Sequence, residues 1–280
     1  MMPSRRRALA AQFEATVVHR VELAEAQTLL KIQSSSLPEL EFPSGAFAMV
    51  SLKSSVMVSR GVGADVFQLA RAYTPFACMA DGTCWLYVKA VGRISKALAN
   101  APVGSTLALM GPLGLGWPSF CELTSWQVLA DSANLAPVLS LATQASQVPL
   151  SKIHVLGHIP TDPISGRQWP SVFQPEMAMR RLSEAVLDTT DFWTRFFEDT
   201  PSPSPIAMCL SEPWLQKALL AAQGCAQLHR IWVYLKPTMA CGTGSCYGCV
   251  IDAAEGLPIR VCWEGPLIKA SQLLLRESVV

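Results

Sequence analysis

The sequence predicts a multi-domain chain of β plus α/β class. An antiparallel β-barrel comes first, a parallel α/β domain second, and a small domain built around a cysteine loop last. Three observations predict it. Short β-rich runs broken by Gly, Pro and Ser fill the first 120 or so residues. Strand-like and helix-like segments then alternate. Near the end, Cys241, Cys246 and Cys249 fall within nine residues, and Cys262 follows. A length of 280 residues suits two or three domains rather than one.

The β-rich runs are "FEATVVHRVEL", "TLLKIQSSS", "GAFAMVSLK", "CWLYVKAVG" and "STLALMGPL", with one short helix at "GRISKALANA". They place the barrel at 13–122. In 123–226, "WQVLAD", "KIHVLGHI" and "PIAMCL" read as buried strands. "LAPVLSLATQAS", "PEMAMRRLSEAV" and "EPWLQKALLAAQG" carry helical apolar spacing. "DTPSPSPI" is a turn-rich linker inside this domain. The last unit, 227–280, opens with the strand "RIWVYLK" and ends in a short helix, "SQLLLRES".

Composition narrows the function classes. Half the residues are apolar, 15% are charged and the net charge is +1. That balance gives no electrostatic footprint for nucleic acid or an anionic membrane surface. No run of ~18 residues is apolar enough to span a bilayer. Residues 1–12 hold Arg5, Arg6 and Arg7 without a long apolar core, so they read as a flexible tail rather than a secretory signal. Nine cysteines is an odd number, and Cys78, Cys84, Cys121, Cys209 and Cys225 are scattered. Free thiols in a reducing compartment, the cytoplasm, fit this pattern better than a disulfide framework. His19, His154, His158 and His229 are dispersed, and none pairs with a nucleophile.

The four clustered cysteines follow C-x4-C-x2-C-x12-C. The first three fit the plant-type arrangement in which a tight loop wraps a 2Fe–2S cluster and a distant cysteine closes it. Gly242, Gly244 and Gly248 let the backbone curl closely so that N–H groups reach electron-rich sulfur. Structural zinc, which favours two C-x2-C pairs, and unliganded thiols are the alternatives.

A cluster is a one-electron relay and needs a feeder. "RAYTPFA" at 71–77 contains an R-x-Y-T motif. An arginine fork suits a pyrophosphate, a tyrosine suits a flavin ring, and a hydroxyl suits the ring's redox edge. "VGRISKAL" places Val91, Gly92 and Ser95 at a helix start, and "GPLGLGW" places Gly111 and Pro112 at the barrel's end.

With these motifs in this order, the chain resembles the electron-transfer subunit of two-component dihydroorotate dehydrogenase, a ferredoxin-reductase-like flavoprotein. The resemblance runs from Phe13 to about Leu274 and is most specific in "MACGTGSCYGCV…RVCWEGPLI". It implies an FAD-binding barrel, a Rossmann-like NAD-binding-type domain and a 2Fe–2S domain. It implies FAD held by Arg71, Tyr73, Thr74, Val91, Gly92 and Ser95, with Gly111 and Pro112 shaping the flavin edge. Cys241, Cys246, Cys249 and Cys262 would ligate the cluster. It further implies a hetero-oligomer with a flavin-containing catalytic subunit in pyrimidine biosynthesis, the chain itself not turning over dihydroorotate alone. Related subunits of hydrogenases and of ferredoxin–NADP oxidoreductases share the layout. A non-enzymatic cluster-bearing sensor or scaffold is a third reading.

The resemblance breaks where the family binds nicotinamide dinucleotide. The Gly-rich turn after the α/β domain's first strand reads Ala130, Asp131, Ser132, Ala133, Asn134. Asp131 would repel a pyrophosphate. The Cys–Gly–Pro turn reads Cys209, Leu210, Ser211, with bulky Trp214 close behind. The expected Gly-containing turn at 188–196 reads "DTTDFWTRF". FAD and the cluster are therefore expected to be kept, and NAD(H) binding to be weak or lost.

Overall fold

The computed structural model describes residues 10–23, 26–40, 42–53, 69–117, 126–131, 133–144, 150–156, 179–182, 189–199 and 205–275. The Arg5–Arg7 tail, Cys121, Ser132, His158 and residues 200–204 of the "DTPSPSPI" linker lie outside these.

Seven strands form the first sheet: β1 (Ala11–Glu22), β2 (Gln27–Gln33), β3 (Phe47–Leu52), β4 (Arg71–Tyr73), β5 (Pro75–Phe76), β6 (Thr83–Lys89) and β7 (Thr106–Leu113). Their spatial order is β4-β3-β7-β1-β2-β6-β5, and every pairing is antiparallel. β4 and β5 stand at opposite edges, yet only Thr74 separates them in sequence. A single residue spans at most ~3.6 Å. The two edges must therefore meet, and the sheet curls into a nearly closed barrel. β1 begins at Ala11, so the ordered barrel starts inside the segment expected to be tail.

Period-two alternation sends Phe13, Ala15 and Val17 of β1 into the barrel and Glu14 outward. β2 and β6 are apolar on both faces for a reason. One face, with Leu30, Ile32, Cys84, Leu86 and Val88, fills the barrel. The other, with Leu29, Trp85 and Tyr87, packs outward against Leu135, Val138 and Leu139 of the helix α2 (Leu135–Gln144). The helix α1 (Arg93–Ala99) follows β6 and tucks Leu98 and Ala99 into the barrel core.

Eight further strands complete the chain's described elements: β8 (Trp126–Asp131), β9 (Leu150–Leu156), β10 (Met179–Leu182), β11 (Ile206–Cys209), β12 (Ile231–Tyr234), β13 (Val250–Ile251), β14 (Ile259–Arg260) and β15 (Leu267–Lys269). β13 and β14 form a small hairpin. The other six make a second sheet in the order β10-β9-β8-β11-β12-β15. Its first five strands are parallel, and β15 adds antiparallel to β12. β12, expected to open the C-terminal unit, is thus paired into the α/β sheet, and β15 ties the cysteine segment to that same sheet.

Two expectations need correction. "MRRL", within a segment read as helix, is strand β10, because its backbone completes the parallel ladder on β9. "SQLLLRES" forms no helix among its described residues. A 3-10 turn at Ala270–Gln272 leads to a bridge between Leu273 and Ala253, which satisfies the backbone differently. "TDFWTRFFED" is a helix, Thr190–Asp199, whose Trp193 and Phe197 are fully buried with Met208 and Leu219. The helix stands where the family's Gly-containing turn was expected to be lost.

The two sheets are pinned at the seam. The hydroxyl of Thr74 lies 2.7 Å from that of Tyr234 at the end of β12, and both are buried. Removing one partner leaves a buried hydroxyl unsatisfied, which costs about 1–3 kcal/mol. Tyr234→Phe in the apoprotein is expected to lower unfolding free energy by about 1–3 kcal/mol in urea titration with the same m-value.

Candidate functional site

The seam opens onto a cavity of about 620 Å³ between the two sheets. Arg71, Tyr73, Thr74, Val91, Gly92 and Ser95 all line it. Six of the eight residues expected to hold FAD therefore converge on one space, although they come from β4, the seam and the start of α1. Gly111 and Pro112 do not line it. They lie in β7, where a β-carbon on Gly111 would come 3.0 Å from that of Ala48. The missing side chain of Gly111 makes room for Ala48 and Phe42.

Each convergent group has a definable state. Arg71 is exposed at the rim and donates one hydrogen bond to the carbonyl of Ala70 at 3.0 Å. Tyr73 is 8% exposed, and burial pushes its pKa up to about 12 against the opposing pull of Arg71. It stays neutral and presents a ring face. The Ser95 hydroxyl accepts from the backbone N–H of Val91 at 3.0 Å and of Gly92 at 2.9 Å. It fixes the start of α1. Thr74 spends its hydroxyl on Tyr234, a partner that sequence reasoning missed because 160 residues separate them.

Lys236 is a second residue that the sequence did not single out. Its side chain lines the cavity, with the ammonium 5.9 Å from the centre of the Tyr73 ring. It is solvent-accessible but surrounded by protein. Desolvation lowers its pKa, and Asp131 counteracts this by favouring the charged form.

The cysteine loop lies behind the cavity's far wall. Phe47 and Met239 line the cavity and also belong to the core beneath the loop, with Met49, Leu113, Cys249, Val261 and Cys262. Gly242 has a φ of +71°, and a β-carbon there would meet Met49 Cγ at 2.7 Å and Leu113 Cδ1 at 2.9 Å. The loop is thereby pressed onto β3 and β7.

Cys241 interacts with Cys246, and Cys262 interacts with Cys249 and with Cys241, so the four thiols lie in one neighbourhood. Among the described residues no three ligand atoms converge on a single ion position. Four thiols at this spacing suit a 2Fe–2S centre. N–H groups of Thr243, Gly248 and Cys262 each point at a cysteine sulfur at 3.4 Å. Burial works against the Cys241 thiolate, but donors from Thr243 and Cys246 bring its pKa down to about 5. Burial and the neighbouring Cys249 push Cys262 up to about 12. A bound cation would relieve that second strain by taking up the thiolate.

Comparison with known proteins follows this geometry. Residues 236–274 match the family described as the iron-sulfur cluster binding domain of dihydroorotate dehydrogenase B. The electron transfer subunit of dihydroorotate dehydrogenase B (NAD(+)) from Enterococcus faecalis is 22% identical over 274 residues, 93% of this chain and 97% of that one. The corresponding subunit from Fusobacterium nucleatum is 28% identical over 199 residues, 65% of this chain and 71% of that one. Over most of its length the chain is similar to electron transfer subunits of dihydroorotate dehydrogenase B. In solved structures, the same fold occurs in an NADH-dependent reduced ferredoxin-NADP oxidoreductase studied for flavin-based electron bifurcation. That match has a TM-score of 0.70 at 19% identity and covers 93% of this chain and 90% of that one. The ferredoxin reductase of carbazole 1,9a-dioxygenase matches with a TM-score of 0.56 at 17% identity, over 77% and 66%. The fold of this chain is ferredoxin-reductase-like.

Gly242→Ala is expected to weaken the cysteine loop. It adds a β-carbon clash and roughly 1–2 kcal/mol of left-handed backbone strain. The purified variant should show a lower iron-to-protein ratio by elemental analysis and a lower melting temperature.

Proposed function

We propose that this chain is an electron-transfer subunit that holds FAD in the seam cavity and a 2Fe–2S cluster on the four cysteines. It partners a flavin-containing catalytic subunit of the dihydroorotate dehydrogenase type, in pyrimidine biosynthesis. The observation that carries the reading is the shared wall. The cavity and the cysteine loop rest on the same side chains, Phe47 and Met239, so occupants of the two would be neighbours. Among the described residues no helix is long and apolar enough to cross a membrane.

The cavity suits FAD on its own chemistry. Its barrel wall carries Arg71, Lys89 and Arg93, a basic lining for a pyrophosphate. Tyr73 and Tyr87 offer ring faces for an aromatic ligand. FAD, when bound, supplies exchange between two-electron and one-electron transfers, and the cluster supplies the one-electron relay. Arg71 then anchors phosphate, and Tyr73 packs the ring. The Thr74–Tyr234 bond keeps the cavity floor rigid, and the loop N–H groups stabilise charge on the cluster's sulfur ligands. Tyr247 within the loop and Leu257 beyond it are 65% and 88% exposed and Trp263 is partly so, which gives the catalytic subunit an apolar face near the cluster. NAD(H) is not part of this proposal.

The visible spectrum tests the proposal. Flavin absorption near ~450 nm and a cluster shoulder near ~550 nm are expected in the purified protein. Cys246→Ser should remove the shoulder and leave the flavin. Cluster absorption without flavin, or a colourless zinc protein, would refute it. Leu257→Asp should leave the spectrum intact yet weaken co-purification with the catalytic subunit, with affinity falling about tenfold.

A further inference from the structure

The α/β sheet has its switch point between β8 and β11. From β8 the chain builds outward through β9 and β10, then returns to add β11 and β12 on the other side. Sheets of this kind bind ligands in the crevice beyond the carboxyl ends of those two strands. Here the crevice is flanked by the starts of two helices, α2 and the helix Glu212–Gly224. It opens into the cavity through Ala133, Asn134, Ser211 and Glu212.

The crevice already contains an anion, and the anion belongs to the chain. The Asp131 carboxylate, 2% exposed, sits at the end of β8. Its Oδ1 accepts from the N–H of Ala133 at 2.8 Å, the N–H of Asn134 at 3.0 Å and Asn134 Nδ2 at 3.1 Å. Its Oδ2 accepts from the N–H of Ser211, across on the β11 side. One carboxylate thus draws on donors preceding both helices. These are the donors a dinucleotide phosphate would need at such a crevice. Glu212 adds a further negative charge beside it, and Lys236 supplies positive charge facing Asp131 from β12's end. The wall that would hold FAD is basic, whereas the wall that would hold a second dinucleotide has its donors consumed.

We propose that Asp131 is an intramolecular stand-in for a dinucleotide phosphate and makes this chain exclude NAD(H). This rests on the electron-transfer reading for its consequence, because a chain so plugged exchanges electrons with protein partners and not with a soluble nicotinamide.

Two measurements test it. In the first, holoprotein is titrated anaerobically with NADH and then with dithionite, following flavin absorption. NADH up to millimolar concentration should leave the flavin oxidised, and dithionite should bleach it. Bleaching by micromolar NADH with Asp131 in place would overturn the proposal. In the second, melting temperatures of wild type and Asp131→Ala are compared with inorganic pyrophosphate against chloride at equal ionic strength. The variant should melt lower and recover by roughly 5 °C at a hundred-fold excess over Kd, saturably, while wild type does not respond. Asp131→Ser, whose hydroxyl keeps one acceptor for the N–H groups, should respond likewise if the alanine variant does not fold. A folded variant indifferent to pyrophosphate would refute the plug. This arm needs no flavin, so it stands even if the spectrum defeats the electron-transfer reading.

Discussion

The structure depends on one covalent constraint, the single-residue link between β4 and β5. Two strands at opposite edges of a seven-stranded sheet share Thr74 as their only connection. The sheet has no choice but to curl. Closure then brings Arg71, Tyr73 and Thr74 to a seam rather than leaving them along an edge. The same seam meets the second sheet through the Thr74–Tyr234 hydrogen bond. The cavity exists because two curved surfaces touch there and diverge on either side.

The cysteine loop depends on that barrel in turn. Gly242 lies against Met49 and Leu113, and the loop after β7 returns a hydrogen bond from Leu115 N–H to the Gly265 carbonyl at 2.7 Å. Gly114, with a φ of +75°, would place a β-carbon 2.7 Å from that same carbonyl. The barrel thus meets the loop backbone through the Met49 and Leu113 side chains, and meets the segment after Cys262 backbone to backbone. Close approach is what electron transfer between neighbouring centres would require, and Gly114 and Gly242 permit it at this junction.

In the α/β sheet the donors at the switch-point crevice are met by a side chain of the same chain, Asp131. Both helix starts keep their positions beyond β8 and β11. The donors there must be satisfied, because unpaired buried N–H groups are destabilising. A phosphate would satisfy them from outside, whereas Asp131 satisfies them from within. The sequence suggested only that Asp131 would repel a phosphate, whereas the structure adds that its carboxylate occupies the donors themselves.

The sequence by itself determined the chemistry of the cysteine loop, the strand content of the barrel and the alternation of the α/β domain. These are local properties: cysteine spacing, period-two burial as at Phe13, Ala15 and Val17, and helices such as Glu212–Gly224 with Pro213 in the first turn. Tertiary structure decided the rest. "MRRL" became a strand because an edge of β9 was waiting for it. β12 joined the α/β sheet because parallel pairing with β11 outweighed its closeness in sequence to the cysteines. Tyr234 and Lys236 entered the cavity from 160 or more residues beyond Tyr73 and Thr74, a distance over which no sequence pattern operates. The role of Asp131 as an acceptor for both helix starts was equally hidden, since Ser211 is 80 residues away and only the folding of β11 beside β8 brings its N–H within reach.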